Sequence, residues 1–375
     1  YVKIHLDGDD LPPGFKRLRN STREMLEEFR AFSGGKIEYE ISDPLDGVDT
    51  KKRNEILKDF IEKGIQATNI QEGDADQIKQ KIVIPAASFY YKSKEFHVNL
   101  LKSQFGAKAE EVLNQSIEAL EYEISNTLRK CLLEAAKRIA FLEGHGELTE
   151  DETADIRKEL SDFYKVEKFN LNFDDTSFFK QFLNDIKSDN PDSVQIELVN
   201  LIHKKLNTFD AIIIAKPRIS FSEMEKYYLD QYFMSGGKLI WLIDPIIAEM
   251  DSIGKYEIIM TADYQLNITD QLFKYGVRVN PDIVQDIQCH VIPILANFMG
   301  GQPTQELVPW IYYPIITHGS ENAMVRNVDP VLLNFPASID TLAKEGVKKT
   351  VLLKTSKFSR ISSNPARVDL GIVQV

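Results

Sequence analysis

Apolar positions along the chain switch between a two-residue period and a three-to-four-residue period, so strands and helices alternate. Tyr1 to Leu6 is strand-like and runs into the turn-rich stretch Asp7 to Gly14. Leu18, Met25, Leu26, Phe29 and Phe32 then mark one face of a helix that Gly34-Gly35 stops. Ile37, Tyr39 and Ile41 alternate as a second strand. Thr50 to Lys63 reads as a second helix with Ile56, Leu57, Phe60 and Ile61 as its apolar face, ended by Gly64. Ile65 to Ile70 is strand-like, and Ile82 to Ile84 lead to Pro85. SFYYKSKEFHVNLL has the alternation of a hairpin turning at Lys92 to Lys94.

The order β-α-β-α-β-β over residues 1–103 resembles a thioredoxin-like sheet. No Cys-x-x-Cys sits at its first strand-to-helix turn, where redox chemistry would need one. Glu110 to Glu134 is the longest helical pattern and is expected to connect two regions across residues 104–136. From 137 to about 320 the pattern is α/β. Arg138 to Leu142, Lys165 to Leu171, Ala211 to Ala215 and Leu239 to Ile243 are strands. Helices start at the Thr149/Glu152 capping box and at Ser220 or Ser222, and Leu198 to Leu206 and Leu266 to Tyr275 are also helical. Continuous apolar strands between helices predict a parallel sheet covered on both faces. Residues 321–375 read as an irregular extension with strands, including Val347 to Lys354.

Composition narrows the picture. The 375 residues are 43% hydrophobic and 27% charged, as expected of a globular protein of two or three domains. A net charge of −12 argues against nucleic acid as a partner. The densest early basic run, Lys16 to Arg19, reads as a solvated helix flank. Cys131 and Cys289 fit no zinc or redox spacing and read as buried free thiols. No apolar stretch approaches the length of a membrane span. The chain begins inside a strand and without Met, which suggests a piece of a longer protein.

The sharpest candidate for chemistry is Gly144-His145-Gly146-Glu147, between a predicted buried strand and a predicted helix. In an open parallel sheet that position is the carboxyl edge, where ligands bind. Glycines let a ligand approach the backbone, and a following helix start offers free N–H groups to an anion. The plainer possibility is a tight turn in which His145 bonds to nearby backbone. Lys216, Arg218, Asp244 and His318 fall at strand ends on the same predicted edge. No nucleophile elbow, metal motif or cofactor motif is present. The acids of DGDD (7–10) and NFDD (172–175) read as turn and cap residues; Asp7, Asp9 and Asp10 lack the distal Glu of a calcium loop.

Long phrases of the chain resemble one family. LDG, LPPGFKRLRNSTREMLEEF and EISDP near the start, then RIAFLEGHGEL, FDAIIIAKPRISFSEMEKYYLDQYFMSGGKLIWLIDP and YGVRVNPDIVQDIQCHVIPI, resemble the GldG family. These are components of the gliding-motility ABC transporter of Bacteroidetes. The middle phrases are also similar to class I glutamine-amidotransferase-like domains, without the nucleophile motif of those enzymes. The resemblance implies a non-enzymatic periplasmic domain, anchored in the inner membrane by segments absent from this sequence. It implies a permease and an ATPase subunit as partners, GldF and GldA in the gliding system, and a role in partner or substrate binding. The alternative is an anion- or carbohydrate-binding protein, or a residual hydrolase using the GHGE cleft.

Overall fold

The computed structural model describes residues 1–8, 10–72, 79–102, 108–133, 136–172, 191–248, 250, 258–299, 302–317, 319–325 and 328–370. Asp9, Asp174, Asp175 and His318 therefore lie outside the described residues. The chain divides into two units, Tyr1–Ala136 and Lys137–Val375.

In the first unit, β1 (Val2–Ile4) buries Val2 and Ile4 on one face, as a period of two requires. It runs into α1 (Pro13–Phe32), which begins with proline at a position that needs no intrahelical donor. Leu18, Thr22 and Leu26 are the buried stripe of α1. Gly34 and Gly35 end it at φ +66° and +81°, the left-handed region open to glycine. Phe32, expected on the apolar face, is 91% exposed, because it sits in the last turn beyond the packed stripe.

β2 (Tyr39–Ile41) pairs parallel with β1. α2 (Thr50–Glu62) follows, capped by the Asp49 side chain on the Lys52 amide at 2.9 Å. Among the described residues, β3 (Thr68–Glu72) and β4 (Lys79–Val83) pair only with each other. β5 (Ala86–Tyr91) and β6 (Lys94–Asn99) complete the main sheet, in the order β2-β1-β5-β6. Only the β1–β2 pair in it is parallel.

The long helical pattern after residue 109 is two helices, α3 (Ala109–Glu118) and α4 (Leu120–Leu132), meeting at Ala119. Leu113, Leu120 and Ile124 join Val2, Ile4, Leu18, Leu26 and Phe89 in one core. These helices thus belong to the packing of the first unit.

The second unit opens with β7 (Lys137–Glu143), α5 (Ala154–Ser161) and β8 (Tyr164–Asn170). α6 (Pro191–Leu206), β9 (Ala211–Ala215), α7 (Glu223–Met234) and β10 (Lys238–Leu242) follow. The sheet order is β10-β9-β7-β8, and every pairing in it is parallel. The expected parallel neighbours Ala211–Ala215 and Leu239–Ile243 are in register as Ile213↔Ile240. Ala140, Leu142, Ile212 and Ile214 face Phe221, Tyr228, Leu229 and Tyr232 in the larger core. Ile139, Phe141 and Ile213 form a smaller core on the other side. α8 (Thr269–Lys274) then packs Leu272 into the larger core.

The rest of the unit is antiparallel. Val277–Val279 pairs with Ile339–Thr341, and Asp282–Asp286 with Ser359–Ser363. Ile258–Met260 pairs with Arg367–Asp369. Cys289–Met299 and Gln302–Ile316 form a long ribbon that buries Trp310 and Tyr312. Val347 to Lys354, expected as a strand, makes only an isolated bridge from Leu353 to Gly319. Its apolar alternation has no neighbouring strand to pair with among the described residues.

Candidate functional site

β7 has β8 on one side and β9 on the other, so the chain reverses direction across the sheet at the carboxyl end of β7. Such a switch point is where open α/β sheets leave a crevice for ligands. GHGE begins one residue after β7, and Lys216 one residue after β9. The sequence-predicted residues are therefore brought to one edge.

The crevice is laced shut by main chain. The Leu148 amide donates to the Ala215 carbonyl at 2.9 Å. The Arg218 and Ile219 amides both donate to the His145 carbonyl, at 2.8 and 2.9 Å. The glycines permit this closeness. Gly144, at φ +123°, lies where an added Cβ would come within 3.0 Å of the Asn172 amide nitrogen. Gly146, at φ +69°, would meet the Arg218 Cβ at 3.3 Å.

His145 is 2% exposed and points inward. Its ring stacks on Phe221 with centroids 3.8 Å apart and 15° between planes. Its Nε2 is 3.2 Å from Glu225 Oε2, and its Nδ1 is 3.3 Å from Glu147 Oε1. The second of these is an ion-pair contact outside hydrogen-bond geometry. Glu147 turns its other oxygen back to accept from the His145 amide at 2.7 Å. Glu225 is also the third residue of α7. Its carboxylate accepts from the Ser222 amide and hydroxyl, both at 2.7 Å, in a capping box.

Electrostatics follow from this enclosure. Burial pushes the His145 pKa down, but the Glu147 and Glu225 carboxylates outweigh burial and hold it above the ordinary imidazole value. Burial would raise the Glu225 pKa. His145 and the Ser222 donors prevail and lower it to about 2. The three side chains place a buried imidazole between two buried carboxyl groups, which favour its charged form. Glu225 was not singled out by the strand-end reasoning; its one sequence signal is the Ser222-x-x-Glu225 cap.

The other candidates lie outward. Lys216 Nζ is 3.2 Å from Asp244 Oδ2, both partly exposed, and Arg218 is exposed. Lys216 takes φ +54°, a left-handed conformation uncommon for lysine. Among the described residues, no group of three or more His, Cys, Asp or Glu side chains is disposed to hold a metal ion. Burial raises the pKa of both thiols, Cys131 and Cys289, opposite to the shift that makes a cysteine nucleophilic.

Fold and site together define an α/β protein with a parallel sheet whose switch-point crevice is filled by its own buried triad. Residues 136–374 match the family described as an ABC-type uncharacterized transport system, and the chain belongs to that family, as an auxiliary component of ABC-type transport. Residues 1–90 match a domain of unknown function, DUF7088. No curated protein matches the chain. The solved structure of the mmIFT52 N-terminal domain is similar at 18% identity, over 61% of this chain and 77% of that one. Its TM-score of 0.37 is too low to define a fold. No helix among the described residues is long and apolar enough to cross a membrane.

Proposed function

We propose that this chain is the periplasmic part of a GldG-like, membrane-anchored subunit of an ABC transporter associated with gliding motility. It assembles with the permease and ATPase subunits at the inner membrane and carries out no bond-breaking chemistry of its own. The sealed crevice carries this reading. A ligand-binding or hydrolytic α/β protein keeps its switch point open, whereas here His145 and Glu147 are buried and engaged with Glu225. The hydrolase or small-molecule alternative at GHGE loses support for the same reason.

The domain readings sit beside it. The order β2-β1-β5-β6, with one parallel pair, supports a thioredoxin-like first unit in which Asp7 to Gly14 replaces a redox pair. The order β10-β9-β7-β8 supports an amidotransferase-like second unit without a nucleophile. The outward residues left for a partner at this edge are Lys216, Arg218 and Asp244. The left-handed backbone at Lys216 is a local cost of the kind that accumulates at functional positions.

The test is co-purification of the tagged full-length protein from membranes of its own host. The permease and ATPase subunits should co-elute with the wild type. Lys216→Glu and Arg218→Glu should reduce their yield while the protein stays folded. Recovery of the wild-type protein alone, under conditions that keep other transporters intact, would overturn the reading.

A further inference from the structure

A second concave site lies in the antiparallel half of the second unit and shares no residue with the His145 edge. It is a cleft of about 540 Å³ lined by Gln285, Tyr312, Arg360, Ile361, Ser362, Arg367 and Asp369. Strand pairing builds it. Gln285 stands directly opposite Arg360 in the ladder between Asp282–Asp286 and Ser359–Ser363. Gln285 is 5% exposed, so its side chain is a fixed post. Its Oε1 accepts from Arg360 Nε at 2.5 Å. That bond anchors the guanidinium by its inner nitrogen. Among the described residues the Arg360 guanidinium pairs with no carboxylate.

The neighbouring arginine shows the contrast. Arg367 donates through Nε and Nη2 to Asp369, at 3.1 and 2.5 Å, and so has its carboxylate. The Tyr312 hydroxyl donates to the Arg367 carbonyl at 3.2 Å and ties this strand to the ribbon. The lining thus holds two cations and one anion, on a chain of net charge −12. Its rim adds Ser362, and the fully buried Tyr312 ring lies beneath it.

We propose that this cleft binds an organic carboxylate, with the Arg360 guanidinium as the partner of its two oxygens. A planar fork anchored at Nε suits a planar carboxylate. The surplus of one positive charge suits a monoanion, and Asp369 disfavours the second charge of a phosphate. The site is independent of the transporter reading, which can fail without affecting it.

Titration of the 375-residue chain with N-acetylphenylalanine, followed by calorimetry and by the side-chain NMR signals of ¹⁵N-labelled arginine, tests this. Saturable binding should shift the Arg360 signals. The primary amide of the same compound should not bind, and inorganic phosphate should bind more weakly. Arg360→Gln should weaken binding about 10- to 100-fold, the loss expected for a charge-assisted pair. Arg360→Lys, which keeps the charge without the fork, should fall between. The arginine signals of the unmutated protein decide the matter if a variant misfolds. No saturation, equal binding of the amide or of phosphate, or unchanged affinity in a folded Arg360→Gln would each overturn the proposal.

Discussion

His145 Nε2 lies 3.2 Å from Glu225 Oε2, and that contact joins the turn after β7 to the cap of α7. One carboxyl group thus closes a helix start and flanks a buried imidazole. Removing the imidazole strands two buried acids. His145→Ala should destabilise the second unit by about 3–5 kcal/mol, the usual cost of breaking a buried pair. Denaturant unfolding followed by tryptophan fluorescence measures it, since both tryptophans, Trp241 and Trp310, lie in that unit. A loss below 1 kcal/mol would mean that the triad contributes no more than a surface pair.

The same triad sets a pH window. The raised pKa of His145 contributes stability that is full below the unfolded value of 6.5 and is lost as pH rises through the folded value. The depressed pKa of Glu225 contributes stability that is present above 4.5 and lost as pH falls toward about 2. Stability from the triad should therefore peak between these limits. His145→Gln should flatten the alkaline limb and Glu225→Gln the acid limb. A wild-type profile that rises steadily from pH 6.5 to 9 by tryptophan fluorescence would contradict this assignment.

The first unit should respond to acid through a different histidine. His5 is buried, its Nε2 is 2.7 Å from Ser88 Oγ, and Ser88 Oγ is 2.9 Å from His97 Nδ1. Burial, helped by Lys3 and His97, pushes the His5 pKa down to about 4. Its stabilising contribution is therefore full above 6.5 and lost as pH falls through 4. Amide exchange across β1 and β5 should quicken over that range, and His5→Asn should remove most of the change. Equal pH sensitivity in the variant would point to another group.

Much of the fold was legible because local pattern and final packing agree. Ala211–Ala215 is a wholly apolar run and becomes a wholly buried strand. Of the two serines expected to cap α7, Ser220 and Ser222, it is Ser222 that does so. The position of GHGE followed from a strand and two glycines, but the helix expected to start at the Thr149/Glu152 pair starts only at Ala154, and that pair closes a turn before it. The chemistry of GHGE did not follow, because the partner that buries His145 comes from a helix start distant in sequence. Phe32 continued the apolar spacing of α1 but stays exposed, past the stripe that packs on the sheet. The strand Ser359–Ser363 was missed because it is largely polar and mostly exposed; only its partner Asp282–Asp286 is fully buried.

Gly237 gives a steric prediction. A Cβ there would fall 2.3 Å from Tyr232 Cζ, and Tyr232 is fully buried with its hydroxyl donating to the Phe209 carbonyl at 3.1 Å. The ring has no free direction in which to move. Gly237→Ala should cost about 1–3 kcal/mol by overpacking. Phe in place of Tyr232 would not relieve the clash, so the double variant should be no more stable than Gly237→Ala alone. Thermal unfolding of both decides it.

The two thiols should be slow. Burial raises the pKa of Cys131 and of Cys289, so little thiolate is present at neutral pH. Alkylation by iodoacetamide at pH 7 should lag behind that of a free cysteine peptide, and the chain should not reduce insulin. Rapid labelling of either residue in the native protein would count against the inert reading of these cysteines.

Strand pairing also dictates when the second unit can be finished. Asp282–Asp286 waits for Ser359–Ser363, and Ile258–Met260 waits for Arg367–Asp369. During synthesis these strands emerge with open edges and stay so until the chain has lengthened by some seventy to a hundred and ten residues. Such late pairing slows folding and leaves unpaired edges exposed to other chains. Removal of residues from 359 onward would therefore uncover the edges of two strands, the buried Asp282–Asp286 and the largely exposed Ile258–Met260. A shortened version should be lost to aggregation or proteolysis, and a chaperone has most to do for this unit just before its last strands arrive.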